Sequence, residues 1–236
     1  MKALWFLPNA LTFLNLFFGC IGIVYGINGD LETLSFFILL GALCDFFDGF
    51  FARLLNVQGS IGTHLDSFAD LITFGMSPAV VIFNLLEKSN YVTSNTTIFS
   101  NYIPFLSFLI VVSSSYRLAK FNLQNNSSFF HGLPTPANAV LIVFLPYLLN
   151  HELLNGISGL IDSTIFLISL IMVSSILLIS NFELPKLKGF DSIKAFNLKR
   201  EIFILISISL LFTLKFAAFP LIIILYLTVG LLRIKF

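Results

Sequence analysis

Eight apolar runs, each near the roughly 20 residues that a helix needs to cross a bilayer, fill most of this 236-residue chain. They lie near 9–28, 33–55, 62–86, 102–121, 135–150, 159–181, 200–216 and 218–235, with polar connections near 87–101, 122–134 and 182–199. Inside lipid only helices and closed barrels satisfy their own backbone groups, and runs this long select helices. The composition agrees: 57% of residues are hydrophobic and 11% charged, against roughly 25% charged in a soluble domain. The chain is therefore expected to be all-α, a single polytopic membrane bundle over 1–236 with about eight transmembrane helices. A net charge of +1 with no basic arm excludes a nucleic-acid binder. Cys20 and Cys44 lie in apolar runs and read as small buried fillers rather than a disulfide. The run up to Cys20 faintly imitates a cleaved leader, but Pro8, Asn9, Thr12 and Asn15 interrupt it, so it is expected to stay as the first helix.

Charge placement orients the bundle. With eight spans and the N-terminus inside, Lys2, Arg53, Arg117, Lys120, Lys186, Lys188, Lys194, Lys199, Arg200, Arg233 and Lys235 fall on one side, and only Lys88 and Lys215 on the other. That partition matches the positive-inside rule and places both termini in the cytoplasm. The final pair of spans has only Phe219-Pro220 to turn at.

Within this apolar chain one stretch, CDFFDGFFARLLNVQGSIGTHLDSFADLITFG from Cys44 to Gly75, carries four aspartates. It covers the cytoplasmic end of the second helix, a short turn near Asn56–Gly59, and the start of the third. Asp45 and Asp48 are three apart and Asp66 and Asp70 four apart, so each pair shares a helix face. In an antiparallel hairpin the two pairs converge. Four carboxylates crowded in low dielectric repel, and two divalent cations would balance them; all-oxygen ligation suits Mg²⁺ or Mn²⁺. Two such ions are a recurring device for phosphoryl transfer. Gly49 allows close approach of a ligand, Ala52 keeps the next turn open, and Arg53 offers a fork for phosphate. On spacing alone, an intramembrane cation or proton path and structural pairing with a basic residue remain open beside metal chemistry. A transporter, though, is expected to hold its acids near the midplane, often with repeat symmetry, whereas these cluster at one end.

The pattern Asp45-x-x-Asp48-Gly49-x-x-Ala52-Arg53, eight residues, then Gly62-x-x-x-Asp66-x-x-x-Asp70 resembles the full signature of the CDP-alcohol phosphotransferase family. Three further stretches are similar to the integral-membrane phosphatidylserine synthases of that family: LPNALTFLNLFFG opening the first helix, LDSFADLITFGMSPA, and YRLAKFN followed by FFHGLPTPANA. The resemblance covers the first six helices. It implies a catalytic core over 1–181, with a basic loop and two additional helices over 182–236. It also implies transfer of a phosphatidyl group from CDP-diacylglycerol to L-serine, giving phosphatidylserine and CMP, with a sister enzyme using glycerol 3-phosphate, inositol phosphate or choline as the alternative. By the same resemblance Asp45, Asp48, Asp66 and Asp70 hold two divalent cations, Mg or Mn, and Asp70 is also the general base. Pro8, Asn9, Thr12, Gly49, Ala52 and Arg53 are expected to contact the CDP-diacylglycerol. Family members are often homodimers, and a bacterial cytoplasmic membrane with the site facing the cytoplasm is the expected setting.

One departure stands out: relatives often carry Ser or Thr where this chain has Gly59, with Ser60 beside it. For the acceptor, a zwitterion, Arg117, Lys120 and Asn122 offer a cation and an amide at the cytoplasmic mouth. His131 reads as a loop residue, His64 as pointing away from the metals, His151 as an outside-loop residue, and the 29 phenylalanines as lipid-facing bulk. The basic loop Lys186–Arg200 could hold anionic head groups.

Overall fold

The computed structural model describes residues 6–57, 59–94, 97–123, 132–149, 159, 162–181 and 198–231. Among them every regular element is helical: α1 (Leu7–Ile27), α2 (Leu31–Leu54), α3 (Ser60–Glu87), α4 (Asn90–Ser94), α5 (Ser100–Leu123), α6 (Thr135–Val143), α7 (Pro146–Leu149), α8 (Thr164–Ile179), α9 (Leu198–Leu214) and α10 (Ala218–Leu231). α1, α2, α3 and α5 are each long and apolar enough to cross a membrane. So is the stretch Glu201–Gly230. The outer surface is apolar, with Phe13, Phe17, Phe36, Phe46, Phe50 and Phe68 all exposed, as lipid requires and water would not allow. This is a polytopic helical membrane protein.

α3 is the central helix: 78% of its apolar window is buried, against 28% in α1 and in α2. Phe74, Ile82 and Leu86 of α3 meet Leu34 and Ile38 of α2, Ile110 of α5, Ile142 of α6 and Ile171 of α8 in one core. α1 and α2 form a hairpin through Asn28–Asp30, and α1 turns a stripe of Pro8, Thr12, Asn15, Gly19, Gly22 and Gly26 inward. Where hydrophobic burial gives little drive between helices, small residues and interhelical hydrogen bonds hold them. Asn84 Nδ2 donates to the Gly26 carbonyl at 3.0 Å, and Ser35 Oγ to the Val143 carbonyl at 2.9 Å.

Halfway along, α3 widens into a π-helical turn over Leu71–Met76. Pro78 follows, and it can neither donate a hydrogen bond to Phe74 nor leave room for that carbonyl, so a wider turn relieves the clash. The turn starts one residue after Asp70 and keeps Thr73, Phe74 and Gly75 buried.

Three expectations change. The break between the last two helices falls at Lys215–Ala217, where Lys215 has φ 51°, not at Phe219-Pro220. Pro220 sits in the first turn of α10, where a missing N–H is harmless. Cys20 is exposed rather than buried, because the inward stripe of α1 passes through its neighbour Gly19; both cysteines are free. Phe74 and Phe144 are core residues, not lipid-facing bulk. His131, His151 and the basic loop over 182–197 lie outside the described residues.

Candidate active site

One end of the bundle gathers the start of α1, the end of α2, the start of α3, the end of α5 and the start of α6. The short α2–α3 turn makes this possible: Asn56 takes a left-handed backbone (φ 53°), and Gly59 runs extended into α3. The hairpin then sets the two aspartate pairs opposite each other. Asp45, Asp48 and Asp66 each offer a carboxylate oxygen within 4.8 Å of the others. Asp70, one turn deeper and 8% exposed, lies close enough to Asp45, Asp66 and Asp48 to add the fourth negative charge.

Carboxylates this close demand compensation. The Arg117 guanidinium is within electrostatic reach of Asp70, but its Nη1 donates to Thr135 Oγ1 at 2.9 Å and its Nε has no partner. Asp48 has a neutral donor, Thr12 Oγ1, at 2.6 Å, and the same hydroxyl is 3.1 Å from the Pro8 carbonyl. A hydroxyl has one proton, and an acid acceptor draws it more strongly than an amide. Hard oxygen ligands, buried at Asp48 and Asp70, half-buried at Asp45 and Asp66, and mutually repelling, fit divalent cations such as Mg²⁺ or Mn²⁺.

Beside the carboxylates lies a cavity of about 130 Å³, lined by Pro8, Asn9, Thr12, Asp48, Gly49, Ala52, Val57, Gly59, Gly62, Thr63 and Asp66. Five of the six residues expected at the nucleotide line it. The sixth, Arg53, is exposed at its rim, with Nη2 3.9 Å from where a Cβ on Gly49 would stand. That is the nearest atom such a Cβ would meet, so protein packing does not require glycine at 49. Gly59 is part of the wall and faces open space. Ser60 is exposed and takes no part in the lining, so it does not replace the side chain missing at 59. Thr63 brings a hydroxyl to the wall instead, anchored on the Gly59 carbonyl at 3.2 Å.

The three candidates for the acceptor separate. Arg117 points toward Asp70, held by Thr135, whose helix starts beside the end of α8 through Gly132 (φ 77°) and a Leu133 N–H bond to the Leu177 carbonyl at 3.0 Å. Lys120 turns to Asn181 Oδ1 at 2.6 Å, on the rim. Asn122 ties α5 to α3, donating to Ser67 Oγ at 2.9 Å, while its buried Oδ1 has no partner. His64 is exposed and is not among the residues whose ligand atoms cluster. Sequence reading passed over Asn15, Thr63, Ser67 and Thr135. For Asn15 a hint was present: Pro8, Thr12 and Asn15 fall at i, i+4, i+7 on one face of an apolar helix.

Residues 5–179 match the family model described as CDP-alcohol phosphatidyltransferase. A CDP-diacylglycerol–serine O-phosphatidyltransferase from Helicobacter pylori is 32% identical over 237 residues, covering 99% of this chain and 92% of the relative. The enzyme of that name from Bacillus subtilis is 32% identical over 154 residues, covering 63% of this chain and 80% of the relative. An archaetidylserine synthase from Methanothermobacter thermautotrophicus is 30% identical over 187 residues, covering 78% and 71%. With a family match over most of its length and a relative aligned from end to end, the chain belongs to the CDP-alcohol phosphatidyltransferase family.

Proposed function

We propose that this protein transfers the phosphatidyl group of CDP-diacylglycerol to the hydroxyl of L-serine, releasing CMP. The observation that carries the reading is the cavity wall, where the signature glycine and alanine leave space directly beside the clustered carboxylates. The choice of serine rests on the names of relatives that align across the chain. Acids gathered at one end of the bundle, in one helix pair, support transfer over cation transport.

Asp45, Asp48, Asp66 and Asp70 would hold two divalent cations, Mg or Mn. When bound, these supply positive charge against the phosphoryl oxygens and the developing negative charge of the reaction. Pro8, Asn9, Thr12, Gly49 and Ala52 seat the CDP group, and Arg53 at the rim reaches its phosphates. Lipid tails lie outside, against the apolar surface of the helices. Arg117 takes the serine carboxylate, so that the serine hydroxyl stands near Asp70, with Asn122 at the same mouth and Lys120 farther out. Asp70 accepts the hydroxyl proton as the oxygen bonds to the phosphorus attached to diacylglycerol. The bond from that phosphorus to the CMP oxygen breaks, and CMP leaves. Alignment of nucleophile and leaving group supplies much of the rate.

The site faces the cytoplasm and both termini lie there, as the basic residues of the sequence distribute. In a Cys20→Ala, Cys44→Ala background, Asn56→Cys should react with a membrane-impermeant maleimide only in inverted vesicles; reaction only from the outside reverses the topology. The core over 1–181 is catalytic, and the family match over 5–179 supports that division. A homodimer in the cytoplasmic membrane of a bacterium is the expected assembly, and light scattering in detergent should return twice the 26.4 kDa chain mass.

The test of the reaction is CMP release by purified protein in detergent with CDP-diacylglycerol, Mn²⁺ or Mg²⁺, and a panel of serine, glycerol 3-phosphate, inositol phosphate and choline. Release with serine alone is the expected result. Release with a different alcohol overturns the acceptor, and release with none overturns the reaction.

A further inference from the structure

Asn15 lies one turn beyond Thr12 on α1 and is wholly buried. Its Nδ2 donates toward Asp70 Oδ1 at 3.5 Å, a long bond of the kind that tightens when an active site is loaded. Its backbone carbonyl accepts Thr73 Oγ1 at 3.0 Å, pinning α1 to the first turn of the π-helical segment. Its Oδ1 has no partner. The amide cannot swing away, because α2 closes over it at Gly41: a Cβ there would stand 2.9 Å from Asn15 Oδ1 and 2.8 Å from Thr73 Cγ2. One side chain thus sits where α1, α2 and α3 meet, directly beneath Asp70.

Stability alone does not account for it. A buried amide with an unpaired oxygen is destabilising, and a leucine of similar size would avoid that. The group that faces the amide is Asp70, whose Oδ1 lies 3.5 Å from it. We propose that Asn15 is a positioning residue, holding the Asp70 carboxylate in the orientation that cation binding and proton abstraction need. Thr12 does the same for Asp48 from the same face of α1, so a single helix stripe orients one acid on each side of the cluster.

The inference rests on the reading of Asp70 given above, and its test is chosen to separate the two. Mn²⁺ titration followed by electron paramagnetic resonance needs no substrate and no turnover. Asn15→Leu removes the donor, while Gly41→Ala keeps the amide and displaces it. Both should weaken Mn²⁺ binding by about 10-fold or more, the usual scale for residues that support a metal's ligands. The thermal midpoint of Asn15→Leu should stay level or rise. In the CMP-release assay, kcat of Asn15→Leu should fall by about 10–100-fold, with KM for CDP-diacylglycerol within about twofold. Mn²⁺ affinity within about twofold of the parent in either variant overturns the inference. So does a fall in the Asn15→Leu midpoint that parallels the loss. If the parent protein releases no CMP yet the Mn²⁺ shift persists, the transfer reading fails and the positioning role stands.

Discussion

The two ends of the α1–α2 hairpin use the same residue types for opposite purposes. At the turn end, Asp30 is exposed and accepts the Thr33 N–H at 3.0 Å, capping α2. Gly26 lets α1 close on α2 and α3, because a Cβ there would overlap Leu34 Cδ1 and stand 2.9 Å from Val80 Cγ1. Both features have a local structural cause. At the other end, Asp45, Asp48 and Asp66 face one another, and a Cβ on Gly49 would meet nothing closer than the tip of the Arg53 side chain at 3.9 Å. Neither fact is explained by anything the protein itself supplies. The contrast separates an acid that caps a helix and a glycine that packing requires from acids and a glycine that packing does not account for, which is what the proposed ligand site predicts.

Substitutions can break that contrast. The largest effect belongs to Asp70→Asn, which should lower kcat for CMP release by about 10²–10⁴-fold, as loss of a proton acceptor does; the folded helix content should not change. Gly49→Ala should leave the thermal midpoint unchanged and raise KM for CDP-diacylglycerol about tenfold, equivalent to about 1.4 kcal/mol. If the midpoint falls instead, packing and not an occupant dictates glycine there. Gly26→Ala should reverse that pattern, destabilising the fold by about 1–3 kcal/mol through overpacking against the buried Leu34 and Val80, with KM of the surviving folded protein unchanged.

The smallest effect is at Asp30. Its carboxyl is held below the usual carboxylate range by the Thr33 side-chain and backbone donors. A lowered acid contributes stability that is present above the unfolded-state value and is lost as pH falls through the folded one. Asp30→Ala should therefore lower the thermal midpoint slightly at neutral pH, and the difference should shrink to nothing as the pH is taken down through the acid range. A difference that persists in acid would assign the effect to helix propensity rather than to the charged cap.

Much of this architecture is legible in sequence because the physics is local. A bilayer dictates the length of an apolar run, so α1, α2, α3 and α5 fall within a few residues of the expected spans. Helical periodicity places Asp45 with Asp48, and Asp66 with Asp70, on common faces. Periodicity within one helix says nothing about which face meets a neighbour, and there the reading stops. Asn15 and Thr135 matter only because α1 lies under Asp70 and α6 beside Arg117. Lys120, three residues from Arg117, reads in sequence as a positive-inside anchor as readily as an acceptor ligand, and it faces Asn181. The break at Lys215 carries no sequence mark, since a lysine in a left-handed conformation is not what turn chemistry favours. The π-helical turn was hidden in Pro78, which reads as a helix interior until its missing donor is traced back to Phe74.

The central claim is that these carboxylates form a binding site for divalent cations. The most direct measurement is anomalous scattering at the manganese edge from crystals of the protein grown with Mn²⁺. Two peaks among Asp45, Asp48, Asp66 and Asp70, absent from an Asp66→Asn crystal, are the result predicted. No peak within coordination distance of any of the four, in crystals that bind Mn²⁺ elsewhere, would contradict it.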